Sequence, residues 1–130
     1  MSAEPVGQRF LVLPGLYAVC RLASGSALPA WAAGEFVSIT ATGDELSVFC
    51  PAEHVPAEVQ AARDWRVLKL VGPFPFTTVG VLASVAGPLA TAGLSLLTVG
   101  TYDTDYLLVK AGSLDEAVAV LTAAGHARVA

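Results

Sequence analysis

Charged side chains are scarce in this chain of 130 residues, and basic ones are scarcer than acidic ones. Seven Lys and Arg against eleven Asp and Glu give a formal net charge of −4 at pH 7. No run of Lys or Arg occurs that could neutralise a line of phosphates, so the sequence predicts no nucleic-acid partner. The same shortage of basic residues disfavours binding to an anionic membrane surface.

No charged residue at all lies between Lys69 and Asp103, and 55% of the chain is hydrophobic. A helix that crosses a bilayer needs about 20 continuous apolar residues. Prolines and glycines interrupt the uncharged stretch repeatedly, and its helix-like part, residues 79–92, is too short to span. The pattern therefore predicts the core of a soluble domain and no membrane segment.

The beginning of the chain lacks the basic segment of a secretory signal. A single Arg9 precedes the apolar run of residues 10–20, and Pro14-Gly15 interrupts that run. We therefore expect a cytoplasmic protein. The two cysteines, Cys20 and Cys50, stand in apolar, strand-like runs, so reduced and buried thiols are expected of them in that compartment.

Catalytic and metal-binding patterns are also missing. Cys50 and His54 are close enough in sequence to suggest a nucleophile and a base, but Pro51 interrupts the segment and no third group is present to orient the histidine. Cys50, Glu53 and His54 do not have a zinc-binding spacing. The sequence thus predicts no catalytic residue, no metal site and no cofactor.

The first half of the chain, residues 1–64, is rich in strand-like runs. Residues 9–13 and 16–22 are apolar and separated by Pro14-Gly15. Residues 36–41 and 45–50 flank Thr42-Gly43-Asp44, a glycine-containing turn typical of a hairpin. Residues 56–64 begin with a proline, and we predict a short helix there.

The second half, residues 65–130, begins with a strand over residues 65–71 and a loop that ends at residue 78. Apolar residues recur every three or four positions over residues 79–92, which predicts an amphipathic helix. Gly87-Pro88 is expected to kink that helix or end its regular part, and Gly93 is expected to cap it. Two strands follow, over residues 94–102 and 105–110.

The last helix has the strongest start signal. Ser113 and Glu116 have the spacing of a capping box, in which each side chain bonds a free amide of the first turn. Gly125 is expected to cap the other end. His126 follows, and we predict a surface residue near the negative end of the helix. Residues 126–129 are expected to return as an edge strand.

The second half therefore has the order strand, helix, strand, strand, helix, strand. This is the split βαβ pattern of ferredoxin-like folds, in which an antiparallel sheet carries two helices on one face. The first half is interpreted as a degenerate copy with a weak first helix. The predicted fold class is thus α+β, with two tandem ferredoxin-like subdomains over residues 1–64 and 65–130.

Several segments, in this order, resemble small bacterial proteins built of two ACT domains, which are related to the CASTOR-type cytosolic arginine sensors. The resemblance covers nearly the whole chain, and the last segment is its most telling part. The segments are Leu13-Pro-Gly-Leu-Tyr-Ala-Val, Glu45-Leu-Ser-Val-Phe-Cys-Pro, Trp65-Arg-Val-Leu, Gly80-Val-Leu-Ala-Ser-Val-Ala-Gly-Pro-Leu and Gly100-Thr-Tyr-Asp-Thr-Asp-Tyr-Leu-Leu-Val.

What the resemblance implies is an amino acid, or a similar small ligand, held between two ACT units. The loop that enters the first helix of the second half would contact the ligand, and Ser95 and Leu96 would come from the facing unit of a homodimer. Thr77 and Thr78 stand where the sensors carry acidic residues, so the identity of the amino acid stays open. The implied ligand-binding residues are Phe76, Thr77, Thr78, Val79, Gly80, Val81, Ser95, Leu96, Asp103 and Asp105.

A physical argument stands beside the resemblance. Amides at the start of a helix offer donors to a carboxylate, Gly80 permits close approach, and Asp103 or Asp105 can pair with an ammonium or a cationic side chain. The same residues also have purely structural interpretations. Thr77 or Thr78 can cap the helix, and Asp103 can be an ordinary turn residue.

Three classes of function remain open at this point. The first is a dimeric amino-acid sensor without an active site, whose signal would pass to an unidentified effector protein. The second is an interaction module whose sheet pairs with a partner and whose ligand site is vestigial. The third is a small enzyme on a ferredoxin-like dimer, which stays open because fold alone does not decide function. Both histidines are poorly placed for such an enzyme.

Overall fold

The computed structural model describes residues 7–130. In chain order its strands and helices are β1 (Arg9–Val12), β2 (Tyr17–Ala23), β3 (Ser38–Ala41), β4 (Glu45–Pro51), β5 (Ala61–Leu70), α1 (Val81–Thr91), β6 (Leu96–Gly100), β7 (Asp105–Lys110), α2 (Leu114–Ala123) and β8 (Ala127–Arg128). Among the described residues, no helix has the length and apolarity needed to cross a membrane.

The chain divides into two compact units. Unit 1 contains residues 7–14 and 66–130, and unit 2 contains residues 15–65. The division proposed from the sequence, into residues 1–64 and 65–130, differs from this one because residues 7–14 group with the second half. They do so because β1 pairs in antiparallel fashion with the second half of β5, with Phe10 opposite Leu70.

The sheet of unit 1 has the strand order β6-β7-β5-β1-β8. From β5 onward the elements follow the predicted ferredoxin-like order of strand, helix, strand, strand, helix, strand. β6 and β7 are antiparallel, whereas β8 adds to β1 in parallel. The last strand thus lies at an edge of the sheet, next to β1 and not next to β5.

Helices α1 and α2 pack on one face of this sheet and form its core. Alternate residues of a strand point to the same face, so β5 and β7 each contribute two leucines or valines to that face. The helices contribute residues at three- and four-residue spacing, as the amphipathic pattern predicts. The buried cluster consists of Phe10, Val12, Leu68, Leu70, Val81, Val85, Leu89, Leu107, Val109, Ala117 and Leu121.

Unit 2 is a sheet with the order β3-β4-β2-β5, to which β5 contributes its first half. The helix predicted over residues 56–64 is wrong, and residues 15–65 contain no α-helix, only a 3-10 turn over Ala52–His54. From Ala61 onward this segment is a strand because its backbone finds partners in β2, with Ala61 opposite Cys20 and Trp65 opposite Tyr17. Long-range pairing here overrides a local helix signal.

Both helices of unit 1 end at a glycine, as predicted. Gly93 has a φ of 78°, a left-handed conformation that other residues adopt only at a cost. Its amide donates to the Ala90 carbonyl, and the Leu94 amide donates to the Leu89 carbonyl. These two bonds form a Schellman motif, and α2 ends in the same way at Gly125.

Two other helix predictions need correction. Ser113 makes no capping bond, because a 3-10 turn over Ala111–Ser113 leads directly into α2 and leaves Ser113 with a φ of −105° and a ψ of 3°. That backbone conformation is not the extended one of a capping residue. Of the two alternatives expected at Gly87-Pro88, a kink or the end of the regular part of α1, the second is wrong, since the helical conformation continues through Pro88 to Thr91.

The glycines of α1 provide a test of these backbone assignments. Gly87 lies inside the helix, and apart from its chain neighbours and the backbone of the helix an added Cβ would meet no atom within 4 Å. We expect Gly87→Ala to raise the free energy of unfolding by at most about 0.5–1 kcal/mol through helix propensity, because the new Cβ is also crowded by the ring of Pro88. Gly93→Ala is expected to lower it by about 1–2 kcal/mol, because alanine must adopt the left-handed conformation. Urea unfolding measures the free energy of unfolding of both variants. Changes of the same sign would contradict the assignment of Gly87 to the helix and of Gly93 to its left-handed end.

Candidate functional site

A cleft of about 230 Å³ opens in unit 1 between the start of α1 and the turn that joins β6 to β7. One wall is the segment of residues 74–82, and the other is the turn of residues 101–105. The lining residues are Phe74, Pro75, Phe76, Thr78, Gly80, Val81, Leu82, Thr101, Tyr102, Asp103, Thr104 and Asp105.

The cleft contains six of the ten residues proposed from the sequence. These are Phe76, Thr78, Gly80, Val81, Asp103 and Asp105. Thr77 and Val79 belong to the same loop but do not line the cleft. Ser95 and Leu96 also lie outside it, because Leu96 begins β6, at the other end of the strand from Gly100, and Ser95 precedes it. The resemblance assigned both residues to a facing protomer.

Sequence reasoning missed the other half of the lining. Thr101, Tyr102 and Thr104 flank the proposed aspartates, so including the neighbours of Asp103 would have found them. Phe74 and Pro75 precede the proposed loop, and Leu82 lies one residue beyond it. Neighbouring residues of a turn or loop lie close together in space. The whole turn is therefore a better candidate for a cleft lining than single residues within it.

The first wall is the start of α1. Gly80 is the residue before the helix, and its φ of 87° requires glycine. Because the capping residue is Gly80, which has no side chain, neither Thr77 nor Thr78 occupies the capping position that the structural interpretation proposed. The first helical bond runs from the Ser84 amide to the Gly80 carbonyl, at 2.9 Å. Amides of the first turn therefore keep their capacity to donate to a ligand.

The second wall is a turn fixed by threonines. The Thr101 amide donates to the Thr104 carbonyl at 2.8 Å, which closes the turn. The buried Thr104 hydroxyl donates to the Leu70 carbonyl at 2.8 Å and so ties the turn to β5. The Phe74 amide donates to the Asp103 carbonyl at 2.9 Å, which joins the two walls. These bonds set the position of both aspartates.

The two aspartates of the cleft differ in exposure. Asp103 is exposed, whereas Asp105 is half-buried and lies opposite Gly100 in the β6–β7 register. A Cβ at position 100 would approach an Asp105 carboxylate oxygen to 3.3 Å, so the glycine leaves room for that carboxylate. No Lys, Arg or His is among the lining residues, which leaves the cleft with two carboxylates and no cation.

Two aromatic side chains stand at the cleft with most of their surface in solvent. Phe76 is 76% exposed and Tyr102 is 80% exposed. Their ring centroids lie 5.0 Å apart with an interplanar angle of 78°, an edge-on contact. The pair connects the two walls and presents apolar surface next to the carboxylates.

Cys50 and His54 do not form a catalytic pair. Cys50 is fully buried in the core of unit 2, where burial, followed by the neighbouring Cys20, raises the pKa of the Cys50 thiol from 9.0 to about 11. His54 is exposed, and its Nδ1 lies 2.8 Å from the Ala33 carbonyl oxygen. Both cysteines are free and buried, which confirms the prediction of structural thiols.

Comparison with known proteins identifies the family of the domain that contains the cleft. A family model described as the ACT domain matches residues 60–123, which include β5, α1, β6, β7 and α2. The chain belongs to the ACT-domain family. The two walls of the cleft therefore both lie in the ACT domain. A second family model, for an N-terminal domain, matches residues 15–58, which lie in unit 2.

Three similar proteins can be compared with this chain. The human cytosolic arginine sensor for mTORC1 subunit 1 is 34% identical over 58 residues, which is 44% of this chain and 18% of that protein. The match thus spans less than a fifth of the sensor. A crystallised Agrobacterium tumefaciens protein is 39% identical, with a TM-score of 0.91 and coverage of 96% and 94% of the two chains.

The third relative shares the fold alone. The regulatory subunit of aspartate kinase from Thermus flavus is 12% identical to this ACT-domain chain, with a TM-score of 0.63. The likeness covers 88% of this chain and 95% of that one. Together with the family match, it agrees with the predicted α+β, ferredoxin-like fold.

The thiols of unit 2 provide a chemical test. At pH 8 we expect the native protein to leave both cysteines unlabelled by a thiol-reactive dye, because burial and a raised pKa suppress the thiolate. After unfolding in guanidinium chloride, the dye should label two thiols per chain. Rapid labelling of the native protein would contradict this assignment.

The pH dependence of stability follows from the same shift. A folded-state pKa above the unfolded value means that the thiol contributes stability below the unfolded pKa and loses it as the pH rises through the folded one. The free energy of unfolding should therefore fall as the pH rises from 9.0 towards about 11. A Cys50→Ala variant should show a smaller fall over that range, measured by urea unfolding.

Proposed function

We propose that this chain is a regulatory protein without catalytic activity, and that it binds an amino acid in the cleft of unit 1. The observation that carries the proposal is the pairing of two walls in one cleft. Uncapped amides at the start of α1 stand on one wall, and the carboxylates of Asp103 and Asp105 stand on the other. Such walls complement the carboxylate and the ammonium of an amino acid.

The size of the cleft supports a small ligand. Its volume of about 230 Å³ lies below the roughly 300–1,000 Å³ of clefts that hold drug-sized molecules. The backbone hydrogen bond between Phe74 and Asp103 joins the two walls and restrains the shape of the cleft. A preformed site spends less binding energy on ordering its own residues.

The charge of the cleft favours a basic amino acid. Two carboxylates without a neighbouring Lys, Arg or His attract a ligand with a net positive charge and repel an acidic one. The rings of Phe76 and Tyr102 offer further surface to a cation. The name of the matched human relative, an arginine sensor, agrees with this preference.

We further propose that the protein acts as a homodimer, in which Ser95 and Leu96 of one protomer complete the site of the other. Among the described residues, β6 pairs only with β7, so its other edge offers free amides and carbonyls. Leu96–Gly100 contains no charge and no proline, the features that usually protect an exposed edge. A second copy of β6 is a suitable partner for such an edge.

We also propose that the protein acts in the cytoplasm and signals the presence of its ligand to a separate effector protein. We propose no catalytic role because Cys50, the nucleophile considered from the sequence, is buried and protonated near neutral pH. Of the three relatives described above, one is named as a sensor and one as a regulatory subunit.

A second candidate function is a protein-interaction module with a vestigial cleft. It is favoured by Phe76, Val79 and Tyr102, which are 76–80% exposed and lie at or beside the cleft. Large apolar side chains in such exposed positions often mark a contact with another protein. A ligand screen separates the two candidates, because an interaction module needs no small ligand.

The first test is a thermal-shift screen against the twenty amino acids, followed by calorimetry. We expect arginine or lysine to raise the melting temperature, since a ligand that binds only the native state stabilises it. Asp105→Asn should weaken binding by about 10- to 100-fold through loss of a charged hydrogen bond. Asp115→Asn, an exposed carboxylate on α2 outside the cleft, serves as the control.

Two outcomes would contradict parts of the proposal. An unchanged affinity in Asp105→Asn would remove that residue from the site. A flat screen at millimolar concentrations would favour the interaction module over the sensor.

The second test concerns the dimer. Thr98 is an exposed residue of β6, and Thr98→Lys places a charge on the proposed paired edge. We expect this variant to sediment as a monomer and to lose ligand affinity. Thr40→Lys is the matched control, because Thr40 is an exposed threonine of β3, the edge strand of unit 2. Dimers of equal strength in both variants would exclude β6 as the interface.

A further inference from the structure

His126 is a buried polar residue with no part in the function proposed above. The prediction that it lies on the surface is wrong, since only 6% of it is exposed. Gly125, with a φ of 95°, turns the chain inward, and the His126 amide donates to the Leu121 carbonyl at 3.0 Å. An apolar residue usually occupies this place in a Schellman motif, as Leu94 does after α1. A histidine here therefore needs an explanation.

Both ring nitrogens of His126 are hydrogen-bonded. The Gln8 amide lies 2.8 Å from Nδ1, and the Ser84 carbonyl oxygen lies 2.8 Å from Nε2. A backbone amide can only donate, so Nδ1 accepts and carries no proton. The proton of the neutral ring is therefore on Nε2, and Nε2–H donates to the Ser84 carbonyl. The ring links α1 to the residue before β1.

The Ser84 carbonyl needs this donor because of Pro88. In an α-helix each carbonyl accepts from the amide four residues later, and Pro88 has no amide hydrogen to give to Ser84. A buried carbonyl without a donor is costly. The imidazole of His126 thus replaces a helical hydrogen bond that the sequence of α1 itself removes.

The replacement matters for the cleft because Ser84 belongs to the first turn of α1. The Ser84 amide donates to the Gly80 carbonyl, and Gly80 and Val81 line the cleft. We propose that His126 is a positioning residue, which holds the first turn of α1 through Ser84 and so sets one wall of the cleft. The inference rests on the proposed function for its ligand, but its effect on the helix can be measured without one.

Two substitutions of His126 test its two hydrogen bonds separately. The side-chain amide of His126→Gln can reach the place of Nε2 and keep a donor for Ser84. The shorter His126→Asn can keep an acceptor near the place of Nδ1 for Gln8 but loses the donor. We expect exchange of the Ser84 and Val85 amides, measured by NMR, to be roughly tenfold faster in His126→Asn than in His126→Gln. Equal exchange in both variants would overturn the proposal.

A substitution of Pro88 provides the matched background. Pro88→Ala restores an amide at position 88, which can donate to Ser84 within the helix. In this background His126→Asn should accelerate exchange of the first turn much less than it does with Pro88 present. An equal acceleration in both backgrounds would show that His126 acts by packing alone, and would overturn the proposal.

The combined variant also covers a failure to fold. If His126→Asn alone does not fold, the combination with Pro88→Ala should fold again, because Ser84 regains a partner. A combination that stays unfolded would overturn the proposal.

Ligand binding tests the link to the cleft, with L-arginine and L-lysine as probes in calorimetry. We expect His126→Asn to weaken binding more than His126→Gln, by roughly fivefold, and Pro88→Ala to restore part of the loss. Faster exchange of the first turn with unchanged affinity would overturn the positioning role. If the wild-type protein binds neither probe, the proposed ligand class fails, and the exchange measurements still decide whether His126 holds α1.

Discussion

The packing of α1 and α2 on one face of the unit 1 sheet is the contact on which the cleft depends. Leu68 and Leu70 of β5 and Leu107 and Val109 of β7 form the sheet side of that contact. Close packing leaves little freedom for either layer, so the start of α1 and the turn before β7 are held near each other. The buried bond from the Thr104 hydroxyl to the β5 backbone strengthens this arrangement. A cleft between rigid elements can keep its shape without a ligand.

The same packing buries polar groups, which then need hydrogen-bond partners inside the protein. Pro88 deprives the Ser84 carbonyl of its helical partner, and the neutral His126 ring replaces it. The bond that would have been local to α1 therefore connects α1 to the segment after α2. In this way a helix defect becomes a tertiary link, and the link lies one turn from the cleft.

The two units use different means to bury their sheets. Unit 1 has the two helices of an ACT domain, whereas unit 2 covers its core with loops and a 3-10 turn, and includes two thiols in that core. Burial keeps those thiols protonated, so they serve as small apolar residues. In unit 1, by contrast, carboxylates, uncapped amides and exposed rings surround one cleft.

The sequence by itself determined what local physics encodes. The three- and four-residue spacing located both helices, Gly93 and Gly125 marked their ends, and the order of elements gave the fold class. The resemblance to a known family, and not local physics, proposed the loop from Phe76 and the aspartates after β6 as a ligand site, and that proposal remains a prediction. Only the tertiary structure decided which distant segments pair. It placed β1 beside β5, made residue 61 the start of a strand, and buried His126 against Gln8, 118 residues away. Such choices depend on partners far along the chain, and a local pattern carries no information about them.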